Sequence, residues 1–406
     1  MKVTRHIYLD YNATTPLCSE VANVLDRCNR LIFANPSSPY EIAKKTRLEI
    51  EKARDQVAKL INCDKNEIYF TSGGTESNNL AIKGYLDYLR NLLYKQSIMA
   101  RNKRANLHLI TSQIEHLSIL NVFRYIEKNY KDNYQCMVSY LPVDGSGFVD
   151  KGEFRSAIGK DTVLISIMLA NNEIGSIQPI EELVKIAKSL NENIIFHCDA
   201  VQGLGKMEID VKKLGVDLLS LSSHKIHGPK GVGALYVRNG VKLFPILHGG
   251  HQEKGLRPGT ENVCSIIAFG YACEIVRKNL KRNIDIMAKL KEFLKEKLIE
   301  ELSGMVDLRI NSPDKKCLPN TLNVCFNGVD SELLISYLSR EGIYVSSGSA
   351  CTSGLIEPSH VLLAMGIEPE LAKNAIRFSL GVENTERDLE EVVKKIKEII
   401  VKNKLN

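Results

Sequence analysis

The chain has 406 residues, 44% hydrophobic and 25% charged, which is an ordinary globular composition with room for roughly two or three domains. Its formal net charge of +6 is spread along the sequence and gives no argument for direct nucleic-acid binding. Residues Met1 to Asp10 lack the apolar stretch and cleavage site of a secretory signal, and no apolar run reaches the roughly 18 residues of a membrane span, so a cytoplasmic protein without a membrane partner is expected.

Ten cysteines at positions 18, 28, 63, 136, 198, 264, 273, 317, 325 and 351 form no Cys-x-x-Cys pair and no zinc-type spacing. They read as free thiols of a reducing compartment, with no resident metal expected.

In chain order, the first informative stretch runs from Ile68 to Ser77: a strand, the pair Gly73-Gly74, then a hydroxyl-rich helix start. Paired glycines let the backbone approach closely, and free N–H groups at a helix N-terminus bind a phosphate, although an ordinary glycine turn has the same form. The basic cluster Arg101, Lys103 and Arg104, after Lys95, lies in a polar stretch and reads as a solvated loop, with an acidic partner or RNA as the alternative. His116, in Glu115-His116-Leu117-Ser118, could stack on a planar ring or be a plain surface histidine.

Val163 to Met168 reads as a buried strand and Ile180 to Leu190 as the helix after it. Ile194 to Cys198 is the next strand, ending at Asp199, where a carboxylate could hold a pyridinium N–H or merely cap a turn. Asp217 to Leu221 is another, ending just short of Lys225 in Ser222-Ser223-His224-Lys225-Ile226-His227-Gly228-Pro229. Strands alternating with amphipathic stretches predict an α/β fold with a mostly parallel sheet, whose ligands sit beyond the strands' carboxyl ends.

From about Asn262 a long helix is predicted, with Ile284, Met287, Leu290, Leu294, Leu298 and Leu302 along one face. Apolar runs follow at Thr321 to Phe326 and Ala375 to Leu380, and Thr385 with Asp388 has the spacing of a capping box. These mark a smaller α+β domain. The division expected is 17–262 for a large domain and 263–406, with an arm 1–16, for a small one. Between the two apolar runs lies Ser346-Ser347-Gly348-Ser349-Ala350-Cys351-Thr352-Ser353-Gly354, a cysteine among small residues, which favours an accessible, reactive thiol over an inert one.

A lysine, a strand-end aspartate, a glycine/threonine loop and a histidine together suggest pyridoxal phosphate. The ordered set from Tyr8-Leu9-Asp10-Tyr11-Asn12-Ala13-Thr14-Thr15-Pro16 through Thr71 to Ser77, Asn171-Asn172-Glu173-Ile174-Gly175, His224 to Gly231, Gly259-Thr260, Ser347 to Ser353 and Ile376-Arg377-Phe378-Ser379 resembles the cysteine desulfurases of the NifS/IscS type. These are fold type I pyridoxal phosphate enzymes, within the class V aminotransferases. The resemblance implies a large domain with a mixed, mostly parallel sheet and a smaller α+β domain.

It also implies roles. Lys225 would bond the cofactor and serve as base, Asp199 would pair with its ring nitrogen, and Gln202 and Asn172 would reach its ring hydroxyl. Gly74, Thr75, Ser222 and His224 would hold the phosphate, with Thr260 arriving from the partner of a homodimer. His116 would stack on the ring and move protons. Arg377, assisted by Asn172 and Asn35, would clamp the carboxylate of L-cysteine. Cys351 as thiolate would take the substrate sulfur as a persulfide, leaving L-alanine, for an iron-sulfur scaffold protein or another acceptor. Any contact of Cys351 with an iron-sulfur cluster would be transient. The rival activity is a selenocysteine lyase or related β-lyase. The stretch from Gly84 to Leu107 is longer than usual for the family, and a scaffold-docking tail is not expected after Leu405-Asn406.

Overall fold

The amino-terminal arm opens with strand β1 (Ile7–Tyr8). Seven apolar segments bounded by turn residues then build the central sheet: β2 (Ile68–Thr71), β3 (Ala105–Ser112), β4 (Tyr134–Leu141), β5 (Thr162–Ser166), β6 (Ile195–Asp199), β7 (Leu218–Ser222) and β8 (Gly233–Val237). The computed structural model describes residues 6–100, 105–130, 134–347 and 358–403. The sheet order is β2-β8-β7-β6-β5-β3-β4. All its pairings are parallel except those of β8, which runs antiparallel to both β2 and β7. Because β2 and β7 share a direction on either side of β8, their carboxyl ends emerge on one edge, together with those of β6, β5 and β3.

Parallel strands need crossovers, and amphipathic helices such as Leu117–Asn129 and Ile180–Leu190 provide them. Every residue of β7 and β8 is buried, as strands covered on both faces require. One polar rung crosses this interior: His197 bonds Ser166 Oγ through Nδ1 (2.8 Å) and Ser220 Oγ through Nε2 (2.9 Å). Burial pushes its pKa down to about 3, so the ring is a neutral cross-strand tie.

A second sheet has the antiparallel order β12-β10-β9, from β9 (Leu308–Ile310), β10 (Thr321–Phe326) and β12 (Ala375–Ser379). Strand β11 (Ile343–Tyr344) pairs in parallel with β1. The 40-residue helix Val263–Leu302 reaches two separate cores: Phe269, Ala272 and Cys273 pack with the central sheet, whereas Leu294, Leu298 and Leu302 pack with β10, β12 and the helix Glu386–Asn403. Ile7 and Leu9 join the second core, so the arm is tied to it. Thr385 and Asp388 form the predicted capping box, with Thr385 N–H donating to Asp388 Oδ2 at 2.9 Å and Asp388 N–H to Thr385 Oγ1 at 3.3 Å.

Two expectations change. The strand ends shift by a residue or so, as at β5 and β7. The polar stretch at Lys95 is not a loop, because the helix Gly74–Ala100 runs through it. Between Tyr85 and Ala100 there is no Gly or Pro to stop it, and Leu, Tyr, Lys, Gln and Met sustain the helix. Arg101, Lys103 and Arg104 lie outside the described residues. Among the described residues no helix is long and apolar enough to cross a membrane, and no cluster of His, Cys, Asp or Glu is arranged to hold a metal ion.

Candidate active site

The carboxyl-end edge of the sheet gathers residues that are far apart in sequence. After β2 comes the turn Ser72-Gly73 and the helix starting at Gly74; after β3 comes His116; after β5 comes Asn172. Asp199 ends β6, and Ser222 ends β7, with His224 and Lys225 in the short 3₁₀ turn that follows.

The glycine loop is shaped by a third glycine. In register, Gly233 of β8 lies between Ser222 and Thr71. A Cβ on Gly233 would stand 2.6 Å from Leu221 O and 2.7 Å from Gly73 Cα, so only glycine lets the loop approach β7 this closely. A Cβ on Gly74 would meet Val201 Cγ2 at 2.8 Å. Beside this turn, the buried Ser222 Oγ has no partner among the described residues. Such an orphaned hydroxyl, next to the N–H groups of a helix N-terminus, is a donor set suited to a phosphate.

Lys225 Nζ donates to two backbone carbonyls, Asn12 O (2.6 Å) and Ala13 O (2.8 Å). The arm is zipped to the lysine's own segment: Thr15 N–H donates to His224 O, and His227 N–H to Thr15 Oγ1. Desolvation, with Arg377 adding, lowers the Lys225 pKa to about 8 against the pull of Asp10 and Asp199. His224 bonds Thr14 Oγ1 at 3.1 Å, and its pKa is lowered to about 4 by burial and then by Lys225, Lys230 and Lys206.

Asp199 is buried, accepting at Oδ1 from Val201 N–H (3.0 Å) and at Oδ2 from Asn78 Nδ2 (2.8 Å). The other Asn78 N–H goes to Ser118 Oγ at 2.9 Å. That hydroxyl is therefore free to donate to His116 Nδ1 at 2.8 Å, and Ser118 N–H donates to the same nitrogen at 3.1 Å. With Nδ1 accepting twice, the neutral imidazole carries its proton on Nε2. The ring opens onto the cleft, yet protein crowds it enough that desolvation lowers its pKa, with Lys225 and His360 adding and Asp199 opposing.

Arg377 of β12 is buried, with Nη2 on Asp10 Oδ1 (2.6 Å) and Nη1 on Asn172 O (3.1 Å). Its Nε has no partner among the described residues, which leaves a buried donor for an incoming carboxylate. Gln202 is also buried, its Nε2 donating to Asn12 O at 2.9 Å. Asn35 stands exposed, taking Ser37 N–H at 2.9 Å, and no described bond joins it to Arg377. Thr75 opens the helix beside Gly74, whereas Thr260 is exposed.

Cys351 lies outside the described residues. The positions flanking that segment are tied to the cleft from both sides. Ser346 and Arg377 exchange backbone bonds (3.3 and 2.6 Å). Ser359 Oγ donates to the buried Glu173, and His360 Nε2 donates to Glu115 O at 2.9 Å. The other nine cysteines are free thiols, and desolvation pushes the pKa of each one up.

The donor set fits pyridoxal phosphate: an amine of lowered basicity, a buried carboxylate at a strand end, and an orphaned hydroxyl by a glycine cradle. A family model described as Aminotransferase class-V matches residues 7–392. The chain belongs to the class-V aminotransferase family. It is 44% identical to a cysteine desulfurase IscS of Dictyoglomus turgidum, over 98% of this chain and 95% of that protein. A solved NifS-like protein superposes with a TM-score of 0.86 at 38% identity, covering 98% of this chain and all of the other. A structure of SspA in complex with cysteine gives 0.74 at 34% identity, over 93% of this chain and all of the other. Within the family frame, Asn12, Asn78, Ser118 and the partner of Arg377, Asp10, were not assigned from sequence. Asp10 and Asn12 sit in a motif that marks the family, but no local pattern reports whom they bond.

Proposed function

We propose that this protein is a pyridoxal phosphate-dependent cysteine desulfurase that converts L-cysteine to L-alanine and takes the sulfur onto Cys351 as a persulfide. The observation that carries the reaction, as distinct from the cofactor, is the anchoring of the segment that holds Cys351. One flank is bonded to Arg377 and the other to Glu173 and the Glu115 carbonyl, while desolvation pushes the pKa of each of the nine other thiols up.

The roles follow from the residues. Bound cofactor supplies an electron sink that lets the substrate Cα lose a proton. Lys225 bonds it, and as a free amine of lowered pKa is poised to take that proton. Asp199, held by Asn78 and Val201, keeps the ring nitrogen protonated. Ser222, His224, Gly74 and Thr75 hold the phosphate, and Gln202 and Asn172 approach the ring hydroxyl. The Arg377 fork receives the substrate carboxylate, in exchange with Asp10. His116 would lie over the ring, and with Nδ1 taken by the Ser118 hydroxyl and N–H, its Nε2–H is the proton it can give.

In the sulfur step the Cys351 thiolate attacks the substrate sulfur. An S–S bond forms, the Cβ–S bond breaks with its electron pair going to Cβ, and Cβ is protonated on the way to alanine. The transferred sulfur is oxidised as that carbon is reduced, so no outside oxidant is needed. We further infer a cytoplasmic homodimer, in which exposed Thr260 completes the partner's phosphate site, and a downstream sulfur acceptor such as an iron-sulfur scaffold protein. The exposed apolar side chains Leu31, Phe33, Ile42 and Leu48 support a subunit interface. The test is turnover: purified protein with cofactor and L-cysteine should yield alanine and sulfide in the presence of a thiol reductant. A Cys351→Ala variant that kept full activity would remove the persulfide route.

A further inference from the structure

Lys206 has no part in the roles above, yet it sits beneath them. It is only 5% exposed, and its Nζ donates to Asn12 Oδ1 at 2.8 Å and Gln202 Oε1 at 2.7 Å. The charged groups acting on it are both cations, Lys225 of the 3₁₀ turn and Arg377 of β12, and among the described residues no carboxylate bonds to it. A neutral amine has two N–H groups, and the two amide oxygens take both. Burial and the neighbouring cations push its pKa well below the ordinary lysine value, which agrees with that count.

The consequence is geometric. An amine that donates to both amides fixes their oxygens toward itself and turns their N–H groups the other way. Gln202 Nε2 then donates to Asn12 O, the carbonyl that also takes Lys225 Nζ. Asn12 Nδ2 donates to Asn172 O (3.1 Å), which also accepts from Arg377 Nη1. The buried amine, with Asn320 Nδ2 on Asn12 Oδ1 (3.1 Å) and Thr321 Oγ1 accepting from Asn12 Nδ2 (2.8 Å), thus orients a network that touches Lys225, Gln202 and Arg377.

We propose that Lys206 is a positioning residue: acting as a neutral, buried two-donor group, it aligns Gln202 directly, and Lys225 through the Asn12 carbonyl that Gln202 also bonds, for the cofactor. This rests on the reading in which Lys225 bonds pyridoxal phosphate. The test uses the full-length protein and measures the cofactor dissociation constant, the visible absorption band of the Lys225-bound cofactor, and the melting temperature. Lys206→Met should weaken cofactor binding by about tenfold or more and shift the band, and its effect should be less than additive with that of Gln202→Ala. Wild-type affinity and an unshifted band in Lys206→Met, or strict additivity, would overturn the proposal. If the Met variant does not fold, two others decide. Lys206→Gln keeps uncharged donors and should retain the wild-type band, whereas Lys206→Arg forces a permanent charge and should not; a wild-type band in Lys206→Arg overturns the idea. A wild-type protein that binds no cofactor would instead sink the reading on which the proposal rests.

Discussion

At the scale of single residues, the lysine proposed to bond the cofactor is prepared by its surroundings rather than by its own chemistry. Burial and Arg377 bring Lys225 down from 10.5 to about 8, so the free amine is half populated at about pH 8. The rate at which cofactor-free protein regains its visible band should therefore rise with pH through about 8. Replacing Arg377 with Met should move that midpoint up, and a midpoint that stays above 10 in the wild type would contradict the assignment. Glu115 makes the opposite case. Fully buried with an orphaned Oε2, it keeps its proton up to about pH 8 because desolvation disfavours the carboxylate. The unfolded chain releases that proton near 4.5, so this group lowers the stability of the folded state progressively as pH rises from about 4.5 to about 8. Glu115→Gln should flatten that fall, read as the difference in melting temperature between pH 5 and pH 8. Lys225 and Asp199 could be singled out in sequence because each stands at or just beyond the end of a recognisable strand, whereas no strand was read before His116. Asn78, Ser118 and Lys206 were not singled out, because the bonds that give them meaning include ones to residues 40 to 194 positions away, which no periodicity reports.

At the scale of elements, the proposed phosphate cradle depends on β8 as much as on the glycine loop. The loop Gly73-Gly74 could be read from the sequence, but the need for glycine at 233 could not, since it arises from an antiparallel strand inserted between β2 and β7. Gly233→Ala would drive a methyl into the backbone of Gly73 and Leu221. It should weaken cofactor binding by about tenfold and cost roughly 1–3 kcal/mol of stability, measured by titration of the absorption band and by denaturant unfolding. Helices with a clear apolar face, such as Ile180–Leu190, were read to the residue. The helix starting at Gly74 was given no end in sequence, and uninterrupted helix-forming residues carry it to Ala100, past Lys95.

At the scale of the whole molecule, two cores meet along the helix Val263–Leu302, and the arm from Ile7 to Thr15 links them by packing in one and bonding the Lys225 turn of the other. Phe33 (78% exposed) and Leu48 (69%) are the most exposed of the large apolar side chains among the described residues. If the proposed homodimer uses this face, substituting Glu at both should shift sedimentation toward a monomer and reduce activity; an unchanged dimer would place the interface elsewhere. The most direct test of the reaction itself is mass spectrometry of the peptide bearing Cys351 after brief exposure of the holoenzyme to L-cysteine. The account predicts one added sulfur atom on Cys351, in step with alanine release and removable by a thiol reductant. Alanine released at the normal rate with Cys351 unmodified would contradict it.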